Sequence, residues 1–536
     1  YAREADIGFS KFISMGNKAG IGENELLAYL ESDPKTDVIL MYLEDLVDGR
    51  EFMRIARKTT GSSKRPKPII ALKAGRTLPG ARAASSHTGS LAGSDRVYDA
   101  IFEQSGVLRV ETLEELFDYV RGFSRQPLPK GWNVGIVTNS GGPGILATDA
   151  CIRHGLNIPP LGGPTVSKLR RVLPKTASLH NPVDLVAEAQ AEQYEKTLRW
   201  VLKDRRIHSA IVILTSTAFT KVDEISAAIV KVAHAFEKPV VCCVLGVFDI
   251  SKGIEILEAG GIPNFRFPES AARVLSEMAK FTIWLDRPLT RTRAYRVNKT
   301  KVKEIFDAVK KEDRRFLLEH EAYDVLRAYR FPVIESRLAE TELGAVQAAR
   351  ALGFPVVLKI ASPDIVHKFD FDGVRLDLKD EVGVGQAYRD ILKNVRRRKP
   401  DARIAGVTVE KMAPPGKEII LGMSRDPQFG PVLMFGLGGI YVEALEDVTF
   451  RLAPIREYSA MAMIKKTKTH KILEGFRGGP TYDLEAISEC LKRLSQLVVD
   501  FDDIQELDIN PMFVYEKGEG CRIVDARIVI GNGLSE

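Results

Sequence analysis

Short apolar runs alternate with helical segments through the first half of the chain. Residues 37–43 (DVILMYL), 68–72 (PIIAL) and 107–110 (VLRV) have the length and composition of buried strands. Residues 94–104 and 113–123 have helical spacing. Strands that alternate with helices form parallel, doubly wound sheets, because a parallel connection needs a crossover. The pattern therefore predicts an α/β domain.

The same pattern begins again after residue 130. Residues 133–138, 210–215 and 239–245 are predicted strands, and residues 145–154 a helix. The glycine-rich stretch 139–144 (NSGGPG) separates the first of these strands from the helix. That order suits an anion, because backbone amides and the positive end of the helix converge there. A packing turn without a ligand is the alternative interpretation.

A loop with one histidine follows the strand at residues 68–72. Residues 73–95 (KAGRTLPGARAASSHTGSLAGSD) are mostly small and contain His87. Open parallel sheets hold ligands at the carboxyl ends of their strands, where Glu44 and Lys73 are also expected. An imidazole there suits a nucleophile that is neutral near pH 7. For His87 alone, a surface histidine in a flexible loop is the alternative.

The last part of the chain has a different character. It combines strand-like runs with a lysine, a glycine-rich stretch and oxygen-bearing side chains. These segments are 354–360, which contains Lys359, 407–412 (VTVEKM), 417–422, 435–443 (FGLGGIYVE), 506–511 (ELDINP) and 524–525. Carboxylate and amide oxygens together with substrate phosphates are what Mg²⁺ prefers. The combination predicts a site for a nucleotide and Mg²⁺.

Composition narrows the class of protein. A chain of 536 residues is too long for one hydrophobic core, so several domains are expected. The net charge of +6 does not indicate nucleic-acid binding, and no apolar run approaches the ~18 residues of a membrane span. Five cysteines show neither metal-ligand nor disulfide spacing, which predicts a reducing cytoplasm. Residues 286–303 hold seven Lys/Arg and are predicted to be an exposed linker.

Five motifs together resemble the fused NDP-forming acyl-CoA synthetases, the ADP-forming acetate–CoA ligase family related to succinyl-CoA synthetase. They are SHTGSLAGSD (86–95), TNSGGPG (138–144), NPVDL (181–185), FGPVLMFGLGGIYVEALEDVTFRLAP (429–454) and ELDINP (506–511). The resemblance implies an α/β fold with two flavodoxin-like, doubly wound parallel-sheet domains and a C-terminal ATP-grasp domain. The implied divisions are 1–127, 128–285, the basic linker 286–303 and 304–536.

The resemblance also implies roles for individual residues. His87 would be phosphorylated, Glu44 would orient it, and His367 would help phosphate reach the nucleotide. The phosphoryl group would be held by Thr88, Gly89, Ser90, Ser140, Gly141, Gly142 and Gly144. The nucleotide would be bound by Lys359, Glu410, Lys411, Met412 and Glu418. Mg²⁺ would be bound by Asn510 and Asp525, with Asp508 nearby.

The implied reaction interconverts acyl-CoA, ADP and phosphate with a carboxylate, CoA and ATP, through an acyl phosphate and a phosphohistidine. Acetate is the expected acyl group, Mg²⁺ and ATP or ADP are the expected cofactors, and CoA is a substrate. A homodimer without nucleic-acid or membrane partners is expected. Relatives usually begin with a CoA-binding domain, which is expected to be missing from this chain.

Two other classes remain open. A non-catalytic module of a protein acetyltransferase could bind nucleotide or CoA without turnover, and a different ATP-grasp ligase could act without a phosphohistidine. The presence of His87, Glu44, Asn510 and Asp525 favours the enzyme over the module. The histidine loop disfavours the other ligase.

One position departs from the family pattern. Where relatives tend to have a pair of glycines after the second histidine, the sequence reads HKFDFDG, with Asp372 before Gly373. A β-carbon and a negative charge at that position put the role of this loop in question.

Overall fold

The computed structural model describes residues 2, 7–16, 18, 20–62, 65–76, 95–246, 249–288, 290–365, 368–438 and 447–531. His87, Thr88, Gly89, Ser90 and His367 lie outside the described residues. The chain divides into two compact units. The first is Tyr1–Asp95 with Ile101–Arg287, and the second is Arg96–Ala100 with Pro288–Glu536.

The first unit contains two parallel sheets, as the alternating pattern predicts. Three strands in the order β1-β2-β3 form one sheet, and four in the order β5-β4-β6-β7 form the other. Their bounds are β1 Ile39–Leu43, β2 Ile69–Lys73, β3 Val107–Val110, β4 Val134–Thr138, β5 Val183–Asp184, β6 Ser209–Ser216 and β7 Val240–Gly246. Every residue of β2 and β4 is buried, which explains why apolar side chains dominate both strands.

Helices connect these strands. They are α1 Glu23–Ser32, α2 Gly49–Arg57, α3 Asp95–Ser105, α4 Leu113–Arg125, α5 Gly141–Arg153, α6 Gly163–Leu169, α7 Ala191–Lys203, α8 Val222–Ala233, α9 Ser251–Ala259 and α10 Pro268–Asp286, with a π-helical turn Lys58–Ser62 after α2. Thr112 caps α4, since its hydroxyl accepts a hydrogen bond from the Glu115 amide at 3.1 Å. The Glu115 carboxylate accepts a hydrogen bond from the amide of Glu111, the residue before the cap, at 2.7 Å.

The second unit is built on two antiparallel sheets. The first has the order β10-β9-β11-β8, and the second has the order β14-β13-β12-β15-β16, with β17 paired to β15. The strands are β8 Ser336–Ala339, β9 Val356–Ala361, β10 Val374–Leu378, β11 Gly406–Lys411, β12 Lys417–Asp426, β13 Gly430–Leu437, β14 Val448–Leu452, β15 Ile504–Val514, β16 Cys521–Ile523 and β17 Ala526–Ile530. Helices on each sheet bury separate apolar cores.

The helices of the second unit are α11 Lys299–Lys311, α12 Glu319–Ala328, α13 Glu342–Leu352, α14 Glu381–Arg398, α15 Glu457–Lys466, α16 Thr469–Leu473 and α17 Leu484–Asp500, with 3₁₀ turns at Lys368–Phe371 and Phe476–Gly478. The last residues of the basic segment 286–303 are the first turn of α11. Tyr295 attaches this segment to α17, because its hydroxyl donates to Glu489 at 3.0 Å and its amide donates to Gln496 at 2.7 Å. No helix in the described part of the chain is long and apolar enough to cross a membrane.

The side chain of a tryptophan on α10 packs directly against a glycine between α3 and β3. Gly106 has a φ of +71°, and a Cβ there would overlap the indole of Trp284. The same indole donates a hydrogen bond to the Thr60 hydroxyl at 3.1 Å. The position therefore needs glycine for two reasons, its left-handed backbone and the space occupied by the ring.

We expect Gly106→Ala to destabilise the first unit strongly. The left-handed conformation costs an alanine about 1–2 kcal/mol, and displacement of Trp284 adds about 1–3 kcal/mol. Gly261 is a matched control, because its φ is also +71° and no described atom would lie within 4 Å of its Cβ. Urea unfolding should show a larger drop in midpoint for Gly106→Ala than for Gly261→Ala. Equal drops would contradict the packing argument.

Candidate functional site

Two charged residues lie at the carboxyl edge of the first sheet, as the sequence predicts. Leu43 and Lys73 are register partners at the ends of β1 and β2, and Glu44 follows directly. Lys73 is buried, its ammonium group donates to the Ala74 carbonyl at 2.5 Å, and burial lowers its pKa. The segment that contains His87 begins four residues after Lys73 in the part of the chain that is not described.

The glycine stretch after β4 is helical, which corrects the predicted separate turn. Helix α5 starts at Gly141, so Gly141, Gly142 and Gly144 form its first turn and Ser140 is its N-cap. No side-chain cap bond from Ser140 is present. The first amides of a helix have no partner within the helix, so this turn can donate to an anion. A Cβ at Gly142 would have no described atom within 4 Å, which leaves open space beside the turn.

Two asparagines hold the strand ends behind this turn. Asn139 exchanges two hydrogen bonds with the Thr215 backbone, at 2.9 and 2.8 Å, and so joins the ends of β4 and β6. Asn181 of the NPVDL motif accepts from the Ile136 amide at 2.9 Å and donates to the Val134 carbonyl at 2.8 Å. Asn139 thus fixes the end of β4 next to the glycine turn, whereas Asn181 fixes the segment before β5 against the first half of β4.

A buried lysine is the centre of the candidate nucleotide site in the second unit. Lys359, on β9, pairs with Glu319 Oε1 at 2.7 Å and with Glu410 Oε2 at 2.9 Å. It also donates to the Val524 carbonyl at 2.7 Å. The structure therefore brings together three of the segments singled out in the sequence, around Lys359, Glu410 and Asp525.

Glu319 was not among the predicted site residues. It is the first residue of α12, and its side chain is only 4% exposed. Its second oxygen, Oε2, pairs with Lys368 at 2.9 Å, while the Tyr323 hydroxyl lies 2.9 Å from Oε1. In the sequence Glu319 is an ordinary first-turn acid of an amphipathic helix, so only the fold reveals that it faces Lys359.

Lys359, Glu319, Glu410 and Lys368 form a cluster in which the protonation of each side chain depends on its charged neighbours. Burial opposes the charged form of Lys359, but attraction to Glu319 and Glu410 outweighs it and raises the pKa of the ammonium group. Burial also opposes the charged form of Glu319, but Lys359 and Lys368 outweigh it and lower the pKa of this carboxyl below its usual range. Lys359 and Glu319 therefore form a charged pair at neutral pH.

Glu410 is the carboxyl of the cluster that keeps its proton. Its side chain is 1% exposed, and burial raises its pKa to about 8. Glu319 has three polar neighbours, whereas Glu410 Oε2 lies 2.9 Å from the ammonium group of Lys359 and Glu410 Oε1 has no hydrogen-bond partner among the described residues. The two carboxyls that contact Lys359 therefore differ in protonation at neutral pH. Glu319 is ionised, and Glu410, which has fewer polar contacts, is neutral.

Three oxygen-bearing side chains, those of Asp508, Asn510 and Asp525, form a rim beside this cluster. Asp508 and Asn510 are two residues apart on β15 and so point to the same face. Ile509 pairs with Ala526, which places Asp525 opposite Asn510 across the end of β17. Met512, Phe513 and Val514 pair with residues 523, 522 and 521, so β15 and β16 form a hairpin between Asn510 and Asp525. Asp525 is 38% exposed and thus lies at the surface of the cluster.

The rim carries more negative than positive charge. Burial and repulsion from Asp525 raise the pKa of Asp508 to about 6. Partial burial and repulsion from Glu319 likewise raise the pKa of Asp525. Carboxylates that repel one another in this way are stabilised by a cation between them.

This donor set fits a magnesium ion bound together with a nucleotide. Over the described ranges, three His, Cys, Asp or Glu side chains do not come together as a cage for a metal. Mg²⁺ usually takes only one or two protein carboxylates and completes its shell with water and substrate phosphates. Asn510 and Asp525, with Asp508 behind them, could hold Mg²⁺ in this manner, and Lys359 could hold the phosphates.

The remaining predicted nucleotide residues lie at or just after the end of β11 and at the start of β12. The amides of Lys411 and Met412 donate to the carbonyls of Glu335 and Pro355, at 2.9 and 3.2 Å. The Lys411 side chain donates to the Gly353 carbonyl at 3.0 Å, and Glu418 is exposed on β12. These backbone bonds fix the connection between the two sheets of the second unit.

The departure at Asp372 is explained by its surroundings. Its φ of +55° is left-handed, the conformation that glycine adopts without cost and that aspartate tolerates better than most residues. The Asp372 carboxylate pairs with Arg375 at 2.8 Å and accepts from the Asn394 amide group at 2.7 Å. Its negative charge is therefore balanced within the second unit.

Family models match three stretches of the chain. They are the succinyl-CoA ligase like flavodoxin domain over residues 1–123, the Ligase-CoA domain over residues 134–284 and the ATP-grasp domain over residues 308–530. The cluster around Lys359 lies in the last of these stretches.

Two curated relatives match almost the whole chain. A 4-hydroxybutyrate–CoA ligase [ADP-forming] of Nitrosopumilus maritimus is 44% identical over 522 residues, which are 97% of this chain and 74% of that protein. An acetate–CoA ligase [ADP-forming] I of Archaeoglobus fulgidus is 41% identical over 532 residues, 99% of this chain and 75% of that protein.

Separate subunits match the two halves of the chain. The beta subunit of acetate–CoA ligase [ADP-forming] II of Pyrococcus furiosus is 46% identical over 42% of this chain and 96% of that subunit. The alpha subunit is 41% identical over 51% of this chain and 61% of that subunit. This chain thus joins alpha-type and beta-type regions in one polypeptide.

A solved structure matches the fold. The acetyl-coenzyme A synthetase 1 of Ca. Korarchaeum cryptofilum, in complex with phosphate and ADP, has a TM-score of 0.51 and 32% identity. The match covers 55% of this chain and 64% of that chain.

We expect Glu410→Gln to change how stability depends on pH. Below the ordinary glutamate pKa of 4.5 the carboxyl is protonated in both the folded and unfolded chain. Between 4.5 and about 8 only the unfolded chain releases the proton, so the free energy of unfolding falls as pH rises. The slope is about 1.4 kcal/mol per pH unit in the middle of this window, and it is absent once Gln replaces Glu.

Urea midpoints measured at pH 5.5, 7 and 8.5 test this expectation. The wild type should lose stability relative to Glu410→Gln across the series and then level off above pH 8. Glu321→Gln, which alters a carboxylate paired with Arg314 at 2.7 Å, is the matched control and should not remove the slope. Parallel curves for wild type and Glu410→Gln would show that Glu410 is ionised.

Proposed function

The chain belongs to the family of fused ADP-forming acyl-CoA ligases, and we propose that it interconverts an acyl-CoA, ADP and phosphate with a carboxylate, CoA and ATP. The chain is an acid–thiol ligase by this membership. The observation that carries the proposal for this chain is the buried charged Lys359 beside the oxygen rim of Asp525. The ammonium group of Lys359 suits a phosphate, and the oxygen atoms of the rim suit the metal ion that accompanies the phosphate.

In the proposed reaction His87 carries the phosphoryl group. Its neutral nitrogen attacks the phosphorus of an acyl phosphate, the phosphorus–oxygen bond to the acyl group breaks, and the carboxylate leaves. An ADP oxygen then attacks the phosphohistidine and releases the imidazole. The position of Glu44 beside Lys73 at the sheet edge supports its role in orienting the ring. The first turn of α5 supports a role for backbone amides in offsetting phosphate charge.

In the second unit, Lys359 would contact the nucleotide phosphates, and Lys411, Met412 and Glu418 would line the nucleotide. Asn510 and Asp525 would hold Mg²⁺, which supplies positive charge to the phosphates when bound. The phosphate and ADP named in the Korarchaeum complex support this choice of ligands. His367 would assist phosphate, as the resemblance implies.

Acetate is the acyl group we propose first, since the Archaeoglobus relative is named for it. The second candidate is 4-hydroxybutyrate, because the Nitrosopumilus relative is 44% identical over 97% of the chain. Rates with acetyl-CoA and 4-hydroxybutyryl-CoA under the same conditions would separate the two. We also propose a homodimer, which analytical ultracentrifugation tests, and a cytoplasmic location, which five free and buried cysteines support.

We expect His87→Ala to remove phosphorylation of the chain. Incubation of the wild type with labelled ATP and Mg²⁺ should give protein-bound label that is labile to acid and stable to base, whereas His87→Ala should give none. His234→Ala is the control, because His234 is exposed and its ring lies 2.8 Å from the Gly260 carbonyl, at the surface of the first unit. Full labelling of His87→Ala would exclude His87 as the acceptor.

We expect Asp525→Ala to abolish tight binding of Mg-ADP. Loss of one of the proposed metal ligands should weaken the affinity by about 100-fold or more, a loss of roughly 3 kcal/mol. Calorimetry with Mg-ADP, and with ADP in the presence of EDTA, provides the measurement. Asp307→Ala, at an exposed position of α11, should bind Mg-ADP like the wild type. Equal affinities of Asp525→Ala and wild type would remove Asp525 from the metal site.

A further inference from the structure

We propose that Glu319 is a positioning residue that holds Lys359 and Lys368 side by side for the phosphates of the nucleotide. This inference rests on the proposed function of the site. Glu319 is not one of the proposed metal ligands, so it would act through the two lysines.

The two oxygens of Glu319 are divided between the two lysines. Oε1 lies 2.7 Å from the ammonium of Lys359, and Oε2 lies 2.9 Å from that of Lys368. The lysines come from different elements, because Lys359 is on β9 and Lys368 begins the 3₁₀ turn that follows residue 367. A single carboxylate thus fixes the distance between two ammonium groups that belong to different elements of secondary structure.

The position of Glu319 favours its charged form. It opens α12, where the helix dipole stabilises an anion, and its side chain is almost fully buried. Two ammonium groups in a poorly solvated site repel each other. A carboxylate that contacts both offsets this repulsion, so the two lysines can lie close together.

A second set of contacts ties the same carboxylate to the metal rim. The Tyr323 hydroxyl lies 2.9 Å from both Glu319 Oε1 and the Val524 carbonyl. Lys359 donates to the same carbonyl at 2.7 Å. Asp525 is the next residue, and Lys368 lies 3.9 Å from its Oδ1. Glu319 therefore sets the distance between the lysine pair and Asp525 as well.

The alternative is that Glu319 only neutralises a buried lysine for folding. The two roles differ in what they predict for ligands. A folding role affects every ligand of the site alike, because it changes the amount or the shape of folded protein. A positioning role affects the phosphates and leaves the nucleoside part unaffected, because the lysines are expected to contact only the phosphates.

The test compares Mg-ADP and adenosine as ligands of the full chain by calorimetry. We expect Glu319→Gln, which keeps the shape and loses the charge, to weaken Mg-ADP binding by about 10-fold to 100-fold. Adenosine affinity should change by less than about twofold. Glu319→Asp should restore part of the Mg-ADP affinity, because it keeps the charge.

Glu321→Gln is the matched control. Glu321 lies in the same first turn of α12, but its carboxylate pairs with Arg314 at 2.7 Å and caps the helix at the Leu318 amide. Its replacement should lower thermal stability and leave both ligand affinities as in the wild type. A loss of Mg-ADP affinity in this variant as large as in Glu319→Gln would overturn the positioning role.

Each further outcome decides the proposal. Unchanged Mg-ADP affinity in Glu319→Gln overturns it, and so does an equal loss for both ligands. If Glu319→Gln does not fold, Lys368→Met is measured with the same two ligands, and unchanged Mg-ADP affinity overturns the proposal. Absence of Mg-ADP binding by the wild type is a distinct result, which overturns the proposed function and this inference with it.

Discussion

The need to bury a protonated lysine is the constraint on which the second unit depends. Lys359 is on a strand with every residue buried, so its charge has almost no access to water. Removal of one partner from such a pair typically costs about 3–5 kcal/mol. The fold meets this requirement with residues from a helix, a second strand and a connection between strands, namely Glu319, Glu410 and the Val524 carbonyl.

These contacts also link the two sheets of the second unit. Lys359 and Glu410 belong to one sheet, whereas Val524 connects β16 and β17 of the other. A single ammonium group therefore joins the sheets at the point where the oxygen rim begins. Its charge is needed for both purposes, since a neutral side chain could neither hold the Val524 carbonyl beside Glu319 nor attract a phosphate.

The regular part of the fold was predictable because burial determines it directly. Strands with both faces buried are mostly apolar, and β3 was predicted to the residue as Val107–Val110. The start of α5 was not predictable, because three glycines are an unusual first turn and favour a loop on propensity alone. Glu319 was missed because its partner is 40 residues further along the chain and no local pattern connects them.

The charges of the cluster indicate what kind of ligand can complete it. With Glu410 protonated, the two ammonium groups of Lys359 and Lys368 are matched by the carboxylates of Glu319 and Asp525. A phosphate added alone would leave this site with excess negative charge, and Asp508 would add to that excess. A metal cation added alone would be attracted by the rim carboxylates but would also lie close to Lys368, whose ammonium group is 3.9 Å from Asp525 Oδ1. A ligand that brings both charges, such as a metal–nucleotide complex, places its cation beside the rim carboxylates and its phosphates beside the lysines.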